Sequence, residues 1–215
     1  MKEAIRRLRS VVQLLVAAAV CSSAAAGSYE DFFRATESDD AATVRTLIQR
    51  GFDANSRDPQ GQTALHLALR GGQFNVAEAL LGERSVDVNA LNAAEESALM
   101  IAALKGHTDW TRRLIERGAQ VNKPGWTPLH YAASGPDTAV VRLLLDRGAA
   151  VNAESPNRTT PLMMAAQYGS EASVELLLSR GADPTARNDR GLGPADFARL
   201  GQRDALAARL EALAR

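Results

Sequence analysis

A chain of 215 residues with 46% apolar content is long enough for one or two folded domains with a sizeable core. Its 25 lysines and arginines balance 25 aspartates and glutamates, so it lacks the basic footprint of a nucleic-acid binder. No block of like charge marks a disordered tail, and a single cysteine, Cys21, excludes an internal disulfide.

Residues 1–26 read as a unit apart. Lys2, Arg6, Arg7 and Arg9 form a basic head, Val11 to Val20 an uncharged and mostly apolar stretch, and Cys21 to Gly27 a run of small residues. This is the layout of a secretory signal peptide, and Ala24-Ala25-Ala26 fits the small-x-small cleavage rule, which predicts a mature chain starting at Gly27. The apolar stretch is shorter than the roughly 20 residues that span a bilayer. A second reading makes Cys21 the lipid-bearing first residue of a membrane-anchored lipoprotein, although Val20 stands where the lipidation motif wants a small residue. Removing 1–26 takes away four bases and one acid (Glu3), leaving 21 bases against 24 acids and a net charge of −3.

From Tyr29 the pattern is helical. Phe32-Phe33-Arg34-Ala35 and Val44-Arg45-Thr46-Leu47-Ile48 predict two short helices. A phrase then recurs: Thr63-Ala64-Leu65-His66, Ser97-Ala98-Leu99-Met100, Thr127-Pro128-Leu129-His130, Thr160-Pro161-Leu162-Met163, and a worn copy at Gly193-Pro194-Ala195-Asp196. The steps are 34, 30, 33 and 33 residues. A fixed period of this length marks a stacked-repeat array. Within a unit, the threonine is placed to cap a helix and proline takes its first turn. The following alanines let a neighbour approach closely. Gly72, Gly106 and Gly169 stand where a left-handed residue would close this first helix, and Gly51, Gly118, Gly148 and Gly181 close the second. Polar stretches such as Val121-Asn122 and Val151-Asn152 carry turn chemistry into the next copy. One unit cannot bury both of its helices alone, so neighbours must stack.

These residues resemble the ankyrin repeat: the Thr-Pro-Leu-His phrase, the paired leucines, the Arg-Gly-Ala and the Val-Asn stand in the ankyrin order from about Tyr29 to Arg215. The resemblance implies an all-α solenoid, residues 27–215, of helix–turn–helix units joined by β-hairpin fingers, with a concave inner face. About six units are expected, at roughly 29–58, 59–92, 93–122, 123–155, 156–188 and 189–215, the last ending in an amphipathic capping helix. Departures are expected at Gly82–Asp87, one residue longer than its counterparts, at the trimmed finger before Thr127, and at Glu95 and Arg158, which replace the finger glycine. Trp110 reads as core filling beside Leu114, four residues on.

No catalytic residue, metal site or cofactor is expected. His66 and His130 fill the histidine slot of the repeat, where the resemblance implies an imidazole tying neighbouring loops together, and His107 opens a second helix. No His-Glu-x-x-His, paired-cysteine or Gly-x-Ser-x-Gly pattern is present. The expected function is therefore a non-catalytic protein–protein interaction module of the bacterial periplasm, monomeric, binding a protein partner and no nucleic acid. The alternatives are an exported host-directed effector and an immunity-type inhibitor that plugs a toxin or enzyme site. Register within the repeat gives the candidate partner-binding residues: Gln60, Gln62, Glu96, Trp126, Asn157 and Arg158 on the fingers, and Arg70, Leu104, Lys105, Gln167 and Tyr168 on the first helices.

Overall fold

The computed structural model describes residues 27–215; the signal-peptide and lipidation readings, and Cys21 with them, lie outside the described residues. Among the described residues twelve helices follow one another in pairs: α1 (27–37) and α2 (Ala41–Gln49), α3 (Ala64–Gly71) and α4 (Phe74–Gly82), α5 (Ala98–Leu104) and α6 (Thr108–Glu116), α7 (Pro128–Ser134) and α8 (Thr138–Asp146), α9 (Pro161–Tyr168) and α10 (Glu171–Ser179), α11 (Pro194–Leu200) and α12 (Asp204–Leu213). Each packs on its own partner and on adjacent units, so the core is a continuous seam rather than a ball. The first helices α3, α5, α7, α9 and α11 form one layer and the second helices the other. The expected fingers are reduced to single antiparallel bridges, Arg57 with Thr63 and Leu91 with Ser97, among the described residues.

The first helices lie close because their facing residues are small. Ala64, Ala68, Ala98, Ala102, Ala132, Ala133, Ala165, Ala166 and Ala198 are all buried. At the helix ends even a methyl group is too large: a Cβ on Gly169 would sit 2.2 Å from the Ala133 carbonyl oxygen, and one on Gly201 2.5 Å from that of Gln167. Gly169 therefore corrects the sequence expectation. Its φ is −82°, not left-handed, and it is glycine because the backbone of α7 passes over it. Gly72 and Gly106, like the second-helix stops at 51, 118, 148 and 181, do take positive φ as expected. So do Glu95 (59°) and Arg158 (60°), which replace the finger glycine at the strain that conformation imposes on a side chain.

Polar groups tie unit to unit. Thr127 donates its backbone N–H and its hydroxyl to Nδ1 of His130 (3.2 and 2.8 Å), which leaves Nε2–H to donate to the Thr159 carbonyl of the next unit at 2.9 Å. Thr63, His66 and the Glu96 carbonyl repeat the arrangement one step earlier. The implied tie between loops is thus present, and it fixes both rings as the neutral Nε2–H tautomer. Where methionine replaces histidine, at Met100 and Met163, the cap hydroxyl turns to the helix instead: Ser97 Oγ and Thr160 Oγ1 accept the backbone N–H at 3.3 and 3.4 Å.

The asparagines expected only as turn residues form a second ladder. Asn55, Asn89, Asn122 and Asn152 each donate Nδ2–H to a carbonyl of the next unit and accept a backbone N–H there through Oδ1, at 2.7–3.0 Å. On the second helices Glu78–Arg113, Asp146–Arg180 and Glu175–Arg209 pair across adjacent units. These are exposed and each contributes at most about 1 kcal/mol. The longer Gly82–Asp87 segment ends α4 without a left-handed glycine, and Arg117 supplies the missing cap by donating to the Leu81 and Glu83 carbonyls. Trp110 is buried, stacked on Phe74 at 5.5 Å with the Arg113 guanidinium over its face, as core filling requires.

Candidate functional site

An open groove of about 310 Å³ runs along α7, on the face carried by the first helices. Trp126 stands at its finger end, His130 and Tyr131 form its floor, Leu104 of α5 and Ser134 bound its far end, and Met164 and Tyr168 of α9 make the opposite wall. The groove exists because Ser134 is small where the equivalent positions of the flanking helices carry Leu104 and Gln167. Tyr168 is 61% exposed and Leu104 39%, and Leu200 of α11 continues the apolar stripe at 58%.

The floor is rigid. Trp126 meets His130 edge to face at 5.2 Å, and the imidazole is spent on both nitrogens. Burial holds the His130 imidazole down at about 4 and lowers that of His66 in the same way. Tyr131 donates its hydroxyl to Glu96 Oε1 at 3.1 Å, and burial, then the carboxylate, push its phenol up to about 12. Glu96 Oε2 in turn accepts from Arg70 at 2.9 Å and Asn92 at 2.8 Å. This chain of contacts joins α3, the 91–97 finger and α7, three successive units, and sets the angle of the Tyr131 ring. Lys123 donates Nζ–H to the Pro124 and Trp126 carbonyls, which ties down the short finger that carries Trp126. Ser134 donates to the His130 carbonyl. The groove therefore offers aromatic and aliphatic surface with few free polar atoms, the chemistry of an anchor site for apolar side chains.

The structure brings together Leu104, Trp126 and Tyr168 of the candidate residues, with Lys105 and Gln167 beside them and Arg70 paired to Glu96. Gln60, Asn157 and Arg158 are exposed on other fingers and do not line the groove. Gln62 is not presented: it is buried, with its amide and backbone N–H donating to Asp58. Tyr131, Ser134 and Met164 were missed. Tyr131 and Met164 share the helix position of Leu67, Ile101 and Phe197, which reads from sequence as core-facing. The signal that finds them is the small Ser134 one turn on. Among the described residues no group of histidines, cysteines and acids stands ready to hold a metal ion, and no helix is long and apolar enough to cross a membrane.

The family model for ankyrin repeats in three copies matches twice, at residues 32–124 and 99–188. The chain belongs to the ankyrin-repeat family. Ankyrin repeats are protein-interaction modules, and this array has curated ankyrin relatives in bacteria and animals. It is 36% identical over 126 residues to an ankyrin repeat-containing protein of Treponema pallidum, covering 56% of this chain and 42% of that one. It is also 36% identical over 118 residues to the B-cell lymphoma 3 protein homolog of Mus musculus, covering 52% of this chain and 26% of that one. The chain thus spans less than half the length of either relative. In solved structures it is similar, with a TM-score of 0.71 and 27% identity, to a chain of the complex between the Bd0816 predatory endopeptidase of Bdellovibrio bacteriovorus and the immunity protein Bd3460. That match covers 85% of this chain and 97% of the solved chain.

Proposed function

We propose that this protein is a monomeric, non-catalytic binding module of the bacterial periplasm, and that a protein partner docks on its first-helix face with Trp126 and Tyr168 as anchors. The observation that carries the reading is the groove itself. Exposed tyrosine and leucine over a rigid aromatic floor is the composition of an interface centre, not of a solvated surface. The signal-like layout of residues 1–26 supports export.

In-cell crosslinking of the tagged full chain tests the docking face. Tyr168→Ala and Trp126→Ala are expected each to cost about 2 kcal/mol, roughly thirtyfold in partner capture. Tyr168 is exposed, so its truncation leaves the fold and the circular dichroism unchanged. Capture equal to wild type by both variants sinks the proposal. Fractionation tests the compartment: the expected product is a periplasmic chain whose mass begins at Gly27, and an uncleaved chain in the cytosol contradicts it.

A second reading is favoured by the match to a complex that contains an immunity protein and an endopeptidase. Here the docking face blocks an exported hydrolase of the same cell. Stoichiometric loss of a crosslinked hydrolase's activity on adding the purified protein, restored by Tyr168→Ala, is the expected result. An unaffected hydrolase leaves plain binding as the function.

A further inference from the structure

The charges around the groove specify more than an apolar contact. The protein without its first 26 residues carries a net charge of −3, yet no free carboxylate lines the groove. Glu96 is saturated by Arg70, Asn92 and Tyr131, and Glu154 of the next finger is paired with Arg158. Of the acids nearest along the chain, Asp137, three residues past Ser134, caps α8 and accepts from Thr108, Glu95 is held on the left-handed outer turn of its own finger, and Glu171, three residues past Tyr168, opens α10 and does not line the groove. Two ammonium groups without an ion pair remain, one toward each end. Lys105 follows Leu104 at the C-terminal end of α5 and is exposed. Lys123 lies at the finger end, with Nζ 3.2 Å from the Trp126 carbonyl; it uses two of its three donors on carbonyls and keeps the third. An aromatic-walled trough between two unneutralised cations, on a molecule of opposite net sign, is a pattern of charge complementarity.

Resting on the docking face proposed above, we infer that the occupant is an acidic segment of the protein partner: one large apolar side chain seated between Trp126, Tyr131 and Tyr168, with a carboxylate on either side reaching Lys105 and Lys123. The volume sits at the bottom of the range for ligand sites and suits one large side chain rather than a whole cofactor. The seven residues of α7, along which the groove runs, span about 10 Å between its two ends. An extended chain rises about 3.3 Å per residue, so the two acids stand about three or four residues apart. A second hollow on the surface, between α4 and α6, is already occupied by the Glu78–Arg113 pair and the Arg117 cap.

The test uses the protein purified from cells expressing the full chain and three dye-labelled peptides. Each has a central tryptophan, flanked about four residues apart by two glutamates, two glutamines or two lysines, and binding is read by fluorescence anisotropy. The glutamate peptide is expected to bind at least about tenfold tighter than the lysine peptide, with the preference fading at about 0.5 M salt. Lys105→Glu, at an exposed position, is expected to erase most of the preference, and Tyr168→Ala to weaken all three peptides. Equal binding of all three, no binding of any at about 1 mM, or an unchanged preference in Lys105→Glu overturns the inference. So does self-association abolished by Tyr168→Ala, which would assign the groove to a second copy. If the peptides fail while Tyr168→Ala still loses its crosslinked partners, the charge rule falls and the docking face stands. The docking face itself falls only if those partners are kept.

Discussion

Gly169→Ala is expected to destabilise the protein by about 3 kcal/mol, more than any alanine replacement at the left-handed glycines. The backbone at Gly169, with φ at −82°, would accept alanine freely, so conformational preference is not what is lost. The cost is steric. The added methyl meets the Ala133 carbonyl oxygen at 2.2 Å and the Ala165 backbone at 3.0 Å, and none of these atoms is the end of a flexible side chain. Relief requires α7 and α9 to part, which opens contacts among Ala132, Ala133, Ala165 and Ala166, all of them fully buried. Gly148→Ala is the control. Its Cβ meets open space, but its φ of 83° charges about 1 kcal/mol for a side chain. In a one-dimensional array the damage is local. Urea unfolding of Gly169→Ala should therefore lose two-state character, with amide protection lost first in α9 to α12 and retained in α3 to α5. Equal costs for the two variants would mean that close approach is not why Gly169 is glycine.

The same residue shows where sequence stops. The repeat period, the threonine and proline helix starts, the histidine slot and the second-helix stops were legible because each is a local rule written in residue type. Gly51, Gly118, Gly148 and Gly181 all take the positive φ that their position predicts. Gly169 looks identical in sequence, but glycine serves both a left-handed turn and a close backbone pass, and only the neighbour decides which. The fingers were legible as turns, down to the left-handed Glu95 and Arg158, but not in their depth, because a single bridge and a full hairpin share the same turn residues. The groove was half legible. Trp126, Tyr168 and Leu104 stand out as apolar residues at repeat positions open to solvent. Tyr131 and Met164 do not, because their exposure depends on the size of a side chain in the same or the adjacent helix. Gln62 failed for the opposite reason: its register places it on a finger, but Asp58, four residues back, folds it inward.

Acid is expected to weaken the array through His130. Above about pH 7 the ring is neutral folded or unfolded, and Nδ1 accepts from Thr127 while Nε2–H holds the Thr159 carbonyl. An imidazole freed by unfolding takes up a proton near 6.5, whereas burial holds the folded one down at about 4. Between those values the unfolded chain binds more protons, so stability falls as pH falls through the window and levels off below it. The gap corresponds to about 3 kcal/mol when complete. His66 adds loss in the same direction, its lowering again due chiefly to burial. Protonation at Nδ1 would also set two donors, the Thr127 N–H and a new N–H, against each other beneath Trp126, so the units carrying α7 and α9 are where the strain falls. Chemical denaturation between pH 8 and 4 measures this. His130→Ala should be less stable at pH 8, because the acceptor for Thr127 and the tie to the Thr159 carbonyl are both lost. Its stability should then depend on pH less steeply than that of wild type, by up to about 3 kcal/mol across the window. A variant that tracked wild type down to pH 4 would place the acid sensitivity elsewhere and remove His130 as the titrating tie between units.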